Sequence, residues 1–163
     1  MDPKAILLNG PSSSGKSTLA AALKKICPEF AVVSIDEFLE MTAQRNIYED
    51  DVYEIMPALC EKTTRLLETG QSVIIDHVII SERIFTQMIE TLAGYPVLTV
   101  RVTCPAEELR RREQARGDRY AGMAEISEEF LYPKEGYGLT VESFSASPEE
   151  NARQIAEKLK DPA

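Results

Sequence analysis

The sequence predicts an α/β fold in which helices cover both faces of a central, roughly five-stranded parallel sheet. Short apolar runs alternate with amphipathic stretches along the whole chain, as in proteins built from successive βα units. The first apolar run leads directly into a glycine-containing loop. The 163 residues are 44% hydrophobic, which is enough for one core and short for two. We therefore expect one three-layer domain over residues 1–163.

The predicted strands are short apolar runs bounded by polar or turn residues. They cover residues 5–9, 31–35, 72–76, 97–102 and 139–142. The second strand ends at Asp36 and the third ends at Asp76. Gly94 and Pro96 set off the fourth strand from the residues before it. Since ligands of parallel α/β proteins bind at the carboxyl ends of the strands, both aspartates are candidates for a functional site.

Helices are expected between these strands and after the last one. They cover residues 16–27, 51–67, 82–92, 105–116 and 148–159. The first stops before Pro28, and the second is expected to bend or break near Pro57 and to end at Gly70. The fourth begins at Pro105, with acidic residues near its start and arginines near its end, as the helix dipole favours. The stretch after Arg116 contains four glycines and predicts a loop with a short helix.

Composition limits the classes of partner. No run reaches the roughly 18 apolar residues of a membrane span, and the N-terminus lacks a secretory pattern, so we expect a cytoplasmic protein without a membrane partner. Three widely separated cysteines favour reduced core thiols over a disulfide framework. The net charge of −9 disfavours binding of a nucleic acid polymer. A local basic cluster suits a small polyanion instead, and comprises Arg110, Arg111, Arg112, Arg116 and Arg119.

The loop after the first strand matches a phosphate-binding P-loop. It reads Gly10, Pro11, Ser12, Ser13, Ser14, Gly15, Lys16 and Ser17. Gly10 and Gly15 allow backbone N–H groups to converge on phosphate oxygens at the start of a helix. Lys16 can bridge the β- and γ-phosphates, Ser17 can ligate Mg²⁺, and Thr18 can contact the α-phosphate. The alternative is a serine-rich turn, but the preceding strand and following helix favour the nucleotide site.

The two strand-end aspartates have distinct predicted roles. Asp36 can accept a proton from an attacking hydroxyl or align it, and its structural alternative is a helix cap at Glu37. Asp76 follows a hydrophobic strand, an arrangement that in P-loop proteins helps to hold Mg²⁺. His77 is the only histidine, and a structural hydrogen-bonding role is expected for it rather than a catalytic one.

The arginines at the end of the fourth helix predict a mobile lid over residues 112–124. Arg112 and Arg116 share a helix face and are candidates for nucleotide binding. Arg119 lies in a glycine-bearing stretch and is a candidate for contact with the transferring phosphoryl group. Arg110 and Arg111 are expected to be solvated surface charges.

These motifs together resemble the chloramphenicol phosphotransferase-like family of P-loop kinases. Residues 9–17 resemble that family's opening, residues 74–76 its third strand, and the Ala-Arg-Gly-Asp-Arg-Tyr-Ala-Gly-Met-Ala segment at 115–124 its lid. The resemblance implies a P-loop kinase fold and transfer of a phosphoryl group from ATP to a hydroxyl of a small molecule. It also implies that Asp36 is the general base, Lys16 the phosphate-binding lysine and Arg119 a lid arginine near the transferring phosphate.

The sequence departs from the family at two places. His77 stands where members that modify chloramphenicol tend to have a second acid, and residues 139–145 differ from their Tyr-Asp-Val-Glu-Val-Asp-Thr-like segment. The acceptor pocket, expected from residues 37–51 and this late segment, is therefore predicted to hold something other than chloramphenicol.

Three alternatives to that activity stay open. One is a metabolite kinase of the nucleoside, shikimate or sugar-acid type, which would share the P-loop. Another is a nucleotide-hydrolysing regulatory protein, although neither a clear water-activating glutamine nor an Asn-Lys-x-Asp motif is present. A toxin-like kinase of a large substrate would need additional elements for which 163 residues leave little room.

Overall fold

A five-stranded parallel sheet forms the centre of the protein. The computed structural model describes residues 2–161. The strands are β1 Ala5–Asn9, β2 Phe30–Ser34, β3 Ser72–His77, β4 Val97–Thr103 and β5 Leu139–Glu142. Their order is β2-β3-β1-β4-β5, and every neighbouring pair is parallel. The predicted fold class is therefore confirmed.

Six α-helices accompany the sheet within residues 2–161. They are α1 Lys16–Ile26, α2 Glu49–Glu68, α3 Glu82–Thr91, α4 Ala106–Arg116, α5 Met123–Glu129 and α6 Pro148–Lys158. Helices α2 and α3 contact each other, as do α1 and α6. None of these helices is long and apolar enough to span a bilayer.

Two hydrophobic clusters, one on each face of the sheet, give the molecule its three layers. Successive strand residues point to opposite faces. In β1, Ala5 and Leu7 join the cluster that includes α2 and α3, whereas Ile6 and Leu8 join the cluster that includes α1 and α6. All four side chains are buried, which explains why this strand is a continuous apolar run rather than an alternating one.

Strand β2 ends earlier than the sequence predicts. The predicted strand 31–35 is found one residue earlier, and Ile35–Glu37 form a short 3₁₀ helix. The Ser34 hydroxyl accepts the backbone N–H of Asp36, and the Glu37 carboxylate accepts the backbone N–H of Ser34. This reciprocal cap turns the chain. Asp36 thus lies just beyond the strand, and Ser34, not Asp36, is the cap.

Helix α2 also differs from its prediction. It begins at Glu49, where three acidic residues occupy the first turn, and it runs through Pro57 to Glu68 without interruption. The side of the helix that bears Met56 and Leu59 is fully buried. Burial of that apolar side favours one continuous helix despite the hydrogen bond that Pro57 cannot donate.

The three cysteines are free thiols. Cys27 is buried, whereas Cys60 and Cys104 are partly exposed. The prediction of core thiols is therefore correct for Cys27 alone, since Cys60 packs at the edge of the cluster that includes α2 and α3 and Cys104 belongs to neither cluster.

Candidate functional site

A cleft of about 420 Å³ opens at the carboxyl ends of the strands, and we call it the main cleft. It brings together residues from five separate parts of the sequence. Among the predicted site residues, those that line it are Ser12, Ser13, Gly15, Lys16, Ser17, Thr18, Asp36, Asp76, Arg112, Arg116 and Arg119. The sheet order accounts for this, because β1 lies between β3 and β4 and places its loop between the residues that follow them.

The glycines of the loop meet two different steric demands. A side chain at Gly10 would place its Cβ 2.6 Å from the carbonyl oxygen of Val102 on β4, so glycine is needed for the close approach of the two backbones. Gly15 has φ +93° and precedes the first residue of α1. A non-glycine residue is strained in that conformation. The loop therefore turns into the helix so that the positive end of α1 faces the main cleft.

Lys16 is folded back against its own loop. Its Nζ donates to the carbonyl oxygen of Pro11 at 2.7 Å and to the Ser14 hydroxyl at 3.3 Å. The residue is only 5% exposed. This burial lowers the pKa of Lys16 to about 8, although the carboxylates of Asp76 and Asp36 oppose the shift. Pro11 and Ser14 thus support the lysine from behind the main cleft rather than lining it.

Two hydroxyl groups converge on the carboxylate of Asp76. Ser17 Oγ donates to Asp76 Oδ2 at 2.7 Å, and Ser34 Oγ donates to the same oxygen at 3.3 Å. Asp76 is 3% exposed. One carboxylate with a neighbouring hydroxyl is a hard-oxygen set of the kind that Mg²⁺ uses together with nucleotide phosphates. Residues 2–161 contain no cluster of three or more acidic, histidine or cysteine side chains that could hold a metal without such a partner.

Asp36 and Arg119 contact each other across the main cleft. Arg119 Nη2 lies 3.3 Å from Asp36 Oδ2, and Arg119 Nη1 lies 3.1 Å from Asp118 Oδ2. The Arg119 side chain is 8% exposed, whereas that of Asp36 is 44% exposed. Arg119 is therefore held between two carboxylates, both of which are exposed to solvent, and that of Asp36 lines the main cleft.

Arg116 and Arg112 differ in their contacts although both line the main cleft. Arg116 Nε donates to Asp118 Oδ1 at 2.7 Å. Arg112 donates to Glu108, to the carbonyl oxygen of Ser14 and to both oxygens of Ser143. Arg112 thus joins α4 to the phosphate-binding loop and to the residue after β5. Its predicted contact with a nucleotide stays a prediction.

The remaining arginines of the cluster form ion pairs near the surface. Arg111 pairs with Glu108, and Arg110 lies 3.4 Å from Glu125. Both arginine side chains are more than half exposed, as the sequence predicts for surface charges.

His77 is fully buried and does not line the main cleft. Its Nε2 lies 3.2 Å from the sulfur of Met56. Burial lowers the pKa of His77 to about 4, so the imidazole is neutral at pH 7. The expectation that this histidine is structural agrees with its position.

A second, mostly apolar cavity of about 40 Å³ adjoins the main cleft, and we call it the apolar cavity. Both share Ser12, Met41 and Val78. The other lining residues are Asn46, Ile47, Val52, Ile80, Met123, Ile126, Ser127 and Phe130. None of the described residues that line it carries a charge.

The late segment, residues 139–145, does not line the apolar cavity, and the predicted acceptor pocket formed by this segment and residues 37–51 stays a prediction. Ser143 lies in the main cleft instead, beside Arg112 and Gly15. The sheet order gives the reason: β5 is at the edge beyond β4, whereas β2 and the segment after it are at the opposite edge. Residues 37–51 line the apolar cavity through Met41, Asn46 and Ile47, and Met41 also lines the main cleft together with Ser143.

Three polar residues that organise the site were not predicted. Asn9 donates to Tyr132 and Tyr137 and accepts the backbone N–H of Ile79. Glu113 accepts the backbone N–H groups of Gly122 and Ala124. Their partners are distant in sequence. Of these residues, only Asn9 could have been identified from the sequence, because it is a polar residue at the end of an apolar strand.

The third is Ser127 of α5. Its hydroxyl accepts the backbone N–H of Ser12 at 3.0 Å, and the pair is buried. This contact fixes α5 against the phosphate-binding loop. Nothing in the pattern of the short polar helix distinguishes this serine.

Comparisons with known proteins agree with this arrangement. Two curated relatives from two strains of Mycobacterium tuberculosis, each provisionally named an O-phosphotransferase, are 28% identical over 182 aligned positions, which cover 94% of this chain and 81% of theirs.

Solved structures share the fold at low sequence identity. The APS kinase CysC of Mycobacterium tuberculosis, in complex with AMPPNP and APS, has a TM-score of 0.78 at 18% identity, covering 98% of this chain and 99% of its own. A gluconokinase from Sinorhizobium meliloti has a TM-score of 0.71 at 18% identity, covering 97% and 96%.

The model of one protein family, described as chloramphenicol phosphotransferase-like protein, matches residues 3–160. The match spans the phosphate-binding loop, the residues around Asp36 and Asp76, and the lid. Taken with the P-loop at the centre of a five-stranded parallel sheet, it shows that the chain belongs to the chloramphenicol phosphotransferase-like family.

Proposed function

We propose that the protein transfers the γ-phosphoryl group of ATP to a hydroxyl group of a small, uncharged molecule. One observation carries this proposal. The main cleft, which holds the phosphate-binding loop, meets the apolar cavity at Ser12, Met41 and Val78, and Asp36 lies in the main cleft beside Arg119. A bound triphosphate and a bound acceptor would therefore meet at a carboxylate and a guanidinium group.

The nucleotide phosphates would take the place of the protein's own acceptors around Lys16. The ammonium group would leave the oxygens of Pro11 and Ser14 and bridge the β- and γ-phosphates. The backbone N–H groups of Ser13 and of residues 15–18, together with the positive end of α1, would bind the same oxygens. AMPPNP in the similarly folded APS kinase is an ATP analogue, which supports ATP as the donor.

Asp36 has the chemistry and the exposure to act on the acceptor. Its carboxylate would accept the proton of the acceptor hydroxyl as that oxygen forms a bond to the γ-phosphorus. The bond between the γ-phosphorus and the β–γ bridging oxygen breaks, and ADP leaves with that electron pair. Lys16 and Arg119 would stabilise the charge that develops on the transferring group and on the leaving oxygen.

Ser17 and Asp76 are the residues that would hold Mg²⁺. Bound there with the β- and γ-phosphates, the ion would neutralise part of their charge. The lid, residues 112–124, would exclude water while Arg116 and Arg119 are in contact with phosphate.

The apolar cavity, at about 40 Å³, has room for only a part of an acceptor, and its lining favours an uncharged part. Sugar acids and shikimate carry a carboxylate, which needs a cation or several N–H donors when it is buried. The side chains available here are apolar apart from two serines and Asn46. Among the metabolite kinases considered above, the sugar-acid and shikimate types are therefore less well supported than an acceptor with an apolar body and a hydroxyl.

The proposal is tested by ADP formation from ATP with and without a panel of hydroxylated compounds, both neutral and anionic. We expect neutral apolar alcohols to stimulate turnover and anionic ones not to. Asp36→Asn should lower the stimulated rate by about 10² to 10⁴-fold, the usual contribution of a general base. Asp50→Asn, at an exposed residue of α2 that lines neither cavity, is the matched control and should keep the rate.

The possible failures are distinct. If no acceptor stimulates ATP turnover and turnover still requires Asp36, the protein is a nucleotide hydrolase rather than a kinase. Full acceptor phosphorylation by Asp36→Asn would remove only the role of general base. Stimulation by anionic compounds alone would contradict the proposed acceptor class.

A further inference from the structure

Ser34, at the end of β2, lies between the two carboxylates of the site. The parallel register pairs Ser34 with Asp76 on β3. Its hydroxyl donates to Asp76 Oδ2 at 3.3 Å and accepts the backbone N–H of Asp36, also at 3.3 Å. One side chain thus contacts both the residue proposed to hold the metal and the turn that carries the proposed general base.

The position of Ser34 differs from that of Ser17, which binds the same Asp76 oxygen at 2.7 Å. Ser17 lines the main cleft and Ser34 does not. Ser17 would turn its oxygen toward a bound cation, whereas Ser34 approaches the carboxylate from the β2 side. Ser34 therefore acts on a ligand through Asp76 and Asp36, as residues around metal ligands commonly do.

The backbone of Ser34 is held from the outside of the molecule. Its N–H donates to Glu37 Oε1 at 3.0 Å, and the same carboxylate pairs with Lys62 of α2. Because α2 packs against the sheet, this chain of contacts connects the helix to the two aspartates. A shift of Ser34 would move the metal carboxylate and the general base together.

We infer that Ser34 is a positioning residue whose hydroxyl orients Asp76 toward the metal and fixes the turn that presents Asp36. This inference rests on the proposed function and extends it to a residue of β2. The structural alternative is that Ser34 serves only to cap the 3₁₀ helix Ile35–Glu37. That alternative predicts that Ser34→Ala and Glu37→Ala, each of which removes one half of the cap, change metal binding by the same amount.

The test measures the affinity for AMPPNP, as a non-hydrolysable ATP analogue, in EDTA and in Mg²⁺, for the full chain and its variants. The dissociation constant in EDTA divided by the dissociation constant in Mg²⁺ measures how much the metal strengthens nucleotide binding, and it can be determined without turnover. In Ser34→Ala we expect this ratio to fall about tenfold, the lower end of the effect of such contacts on metal affinity. The dissociation constant in EDTA should stay unchanged, since the phosphate-binding loop is intact.

Two further variants separate positioning from capping. Ser34→Thr keeps the hydroxyl on a strand that accepts β-branched residues and should restore the ratio. Glu37→Ala removes the other half of the cap but no contact with Asp76. It should keep the ratio, because the β2–β3 pairing still holds the Ser34 backbone beside Asp76. Equal losses in Ser34→Ala and Glu37→Ala, or a normal ratio in Ser34→Ala, would overturn the inference alone. If the wild-type protein binds AMPPNP equally well in EDTA and in Mg²⁺, the metal-binding role of Asp76 is wrong, and this inference is wrong with it.

Discussion

At the scale of single residues, Lys16 places an ammonium group in a buried environment that is unfavourable for its positive charge. A lysine side chain is rarely buried because the ammonium group loses its hydration. Here its donors are satisfied by Pro11 and Ser14, yet burial still lowers the pKa of Lys16 to about 8. Phosphates would supply the negative charge that this environment lacks. Nucleotide binding should therefore depend on the protonation of this one residue.

The first prediction follows from that pKa. Below pH 8 Lys16 is protonated and ready to bind phosphate; above it the free protein loses this charge, so affinity falls as pH rises. Between pH 7.5 and pH 9 we expect the dissociation constant for AMPPNP to rise by roughly an order of magnitude. Isothermal titration calorimetry at both pH values would measure it.

Lys16→Met is the control for this pH dependence. It should bind more weakly at both pH values and show little change between them. If the affinity of the wild type changes as little between the two pH values as that of Lys16→Met, Lys16 does not bind the triphosphate in the proposed way.

At the scale of elements, two acidic side chains within residues 112–124 connect different parts of that segment to one another. Asp118 contacts Arg116 with one oxygen and Arg119 with the other. Glu113, on α4, accepts the backbone N–H groups of Gly122 and Ala124 at the start of α5, where a helix has unpaired donors. The same helix carries Ser127, which binds the phosphate-binding loop. Helix α5 therefore links the lid to both cavities.

Removal of the Glu113 carboxylate should loosen this link. In Glu113→Ala we expect the local stability of residues 122–129 to fall by about 2 kcal/mol, since two charge-assisted hydrogen bonds are lost. Hydrogen exchange of their backbone amides should accelerate about thirtyfold. Mass spectrometry of peptides from this region would report it.

Gln114→Ala is the matched control, because Gln114 is the exposed neighbour on the same helix. It should leave exchange in residues 122–129 unchanged. Protection in Glu113→Ala equal to that of the wild type would show that α5 is held by its apolar contacts alone.

At the scale of the whole molecule, the sheet determines which groups meet and which stay apart. Its central strands are buried on both faces, and His77 at the end of β3 is enclosed with them. Burial lowers the pKa of His77 to about 4 from its ordinary 6.5. The folded protein thus keeps the imidazole neutral where the unfolded chain would protonate it. Stability is lost as pH falls from 6.5 toward 4.

Acid sensitivity between pH 7 and pH 5 should therefore come largely from His77. We expect the free energy of unfolding of the wild type to fall by about 2 kcal/mol over this interval. Urea denaturation at the two pH values would measure it. The carboxylate of Glu108, whose pKa is lowered to about 2 chiefly by its hydrogen bond with Arg111, titrates below this window.

His77→Gln provides the comparison, since an amide does not titrate. Its stability at pH 7 is expected to be lower than that of the wild type, but it should change less between pH 7 and pH 5. An equal change in both proteins would assign the acid sensitivity to other groups.

Much of the fold and part of the site could be predicted from the sequence because their signals are local. The apolar runs of the strands, the glycines and Lys16 of the loop, and Asp76 after its strand lie within short segments whose chemistry is readable by itself. The α/β fold and the family are confirmed. The roles of Asp36, Arg119 and the other predicted site residues stay predictions.

Other features depend on contacts between distant residues. No pattern in the sequence shows that Ser34 contacts Asp76, that Arg112 holds Ser14 and Ser143, or that Glu113 caps α5. The predicted end of β2 is one residue late. In the sequence Ile35 looks like a further residue of the strand, and the cap formed by Ser34 and Glu37, which turns the chain there, is visible only in the structure.

Hydrophobic spacing and glycine positions act over a few residues, so the parallel sheet and the phosphate-binding loop after its first strand can be predicted from the order of amino acids. The side chains that surround that loop come from distant segments and depend on how the whole chain folds. The strand order places β3 and β4 beside β1 and β5 at the edge next to β4. Ser143 after β5 lines the main cleft, whereas the apolar cavity is lined by residues of α2, of α5 and of the segments that follow β1, β2 and β3. Strand order depends on how the helices bury the two faces of the sheet, a property of the whole chain rather than of any segment.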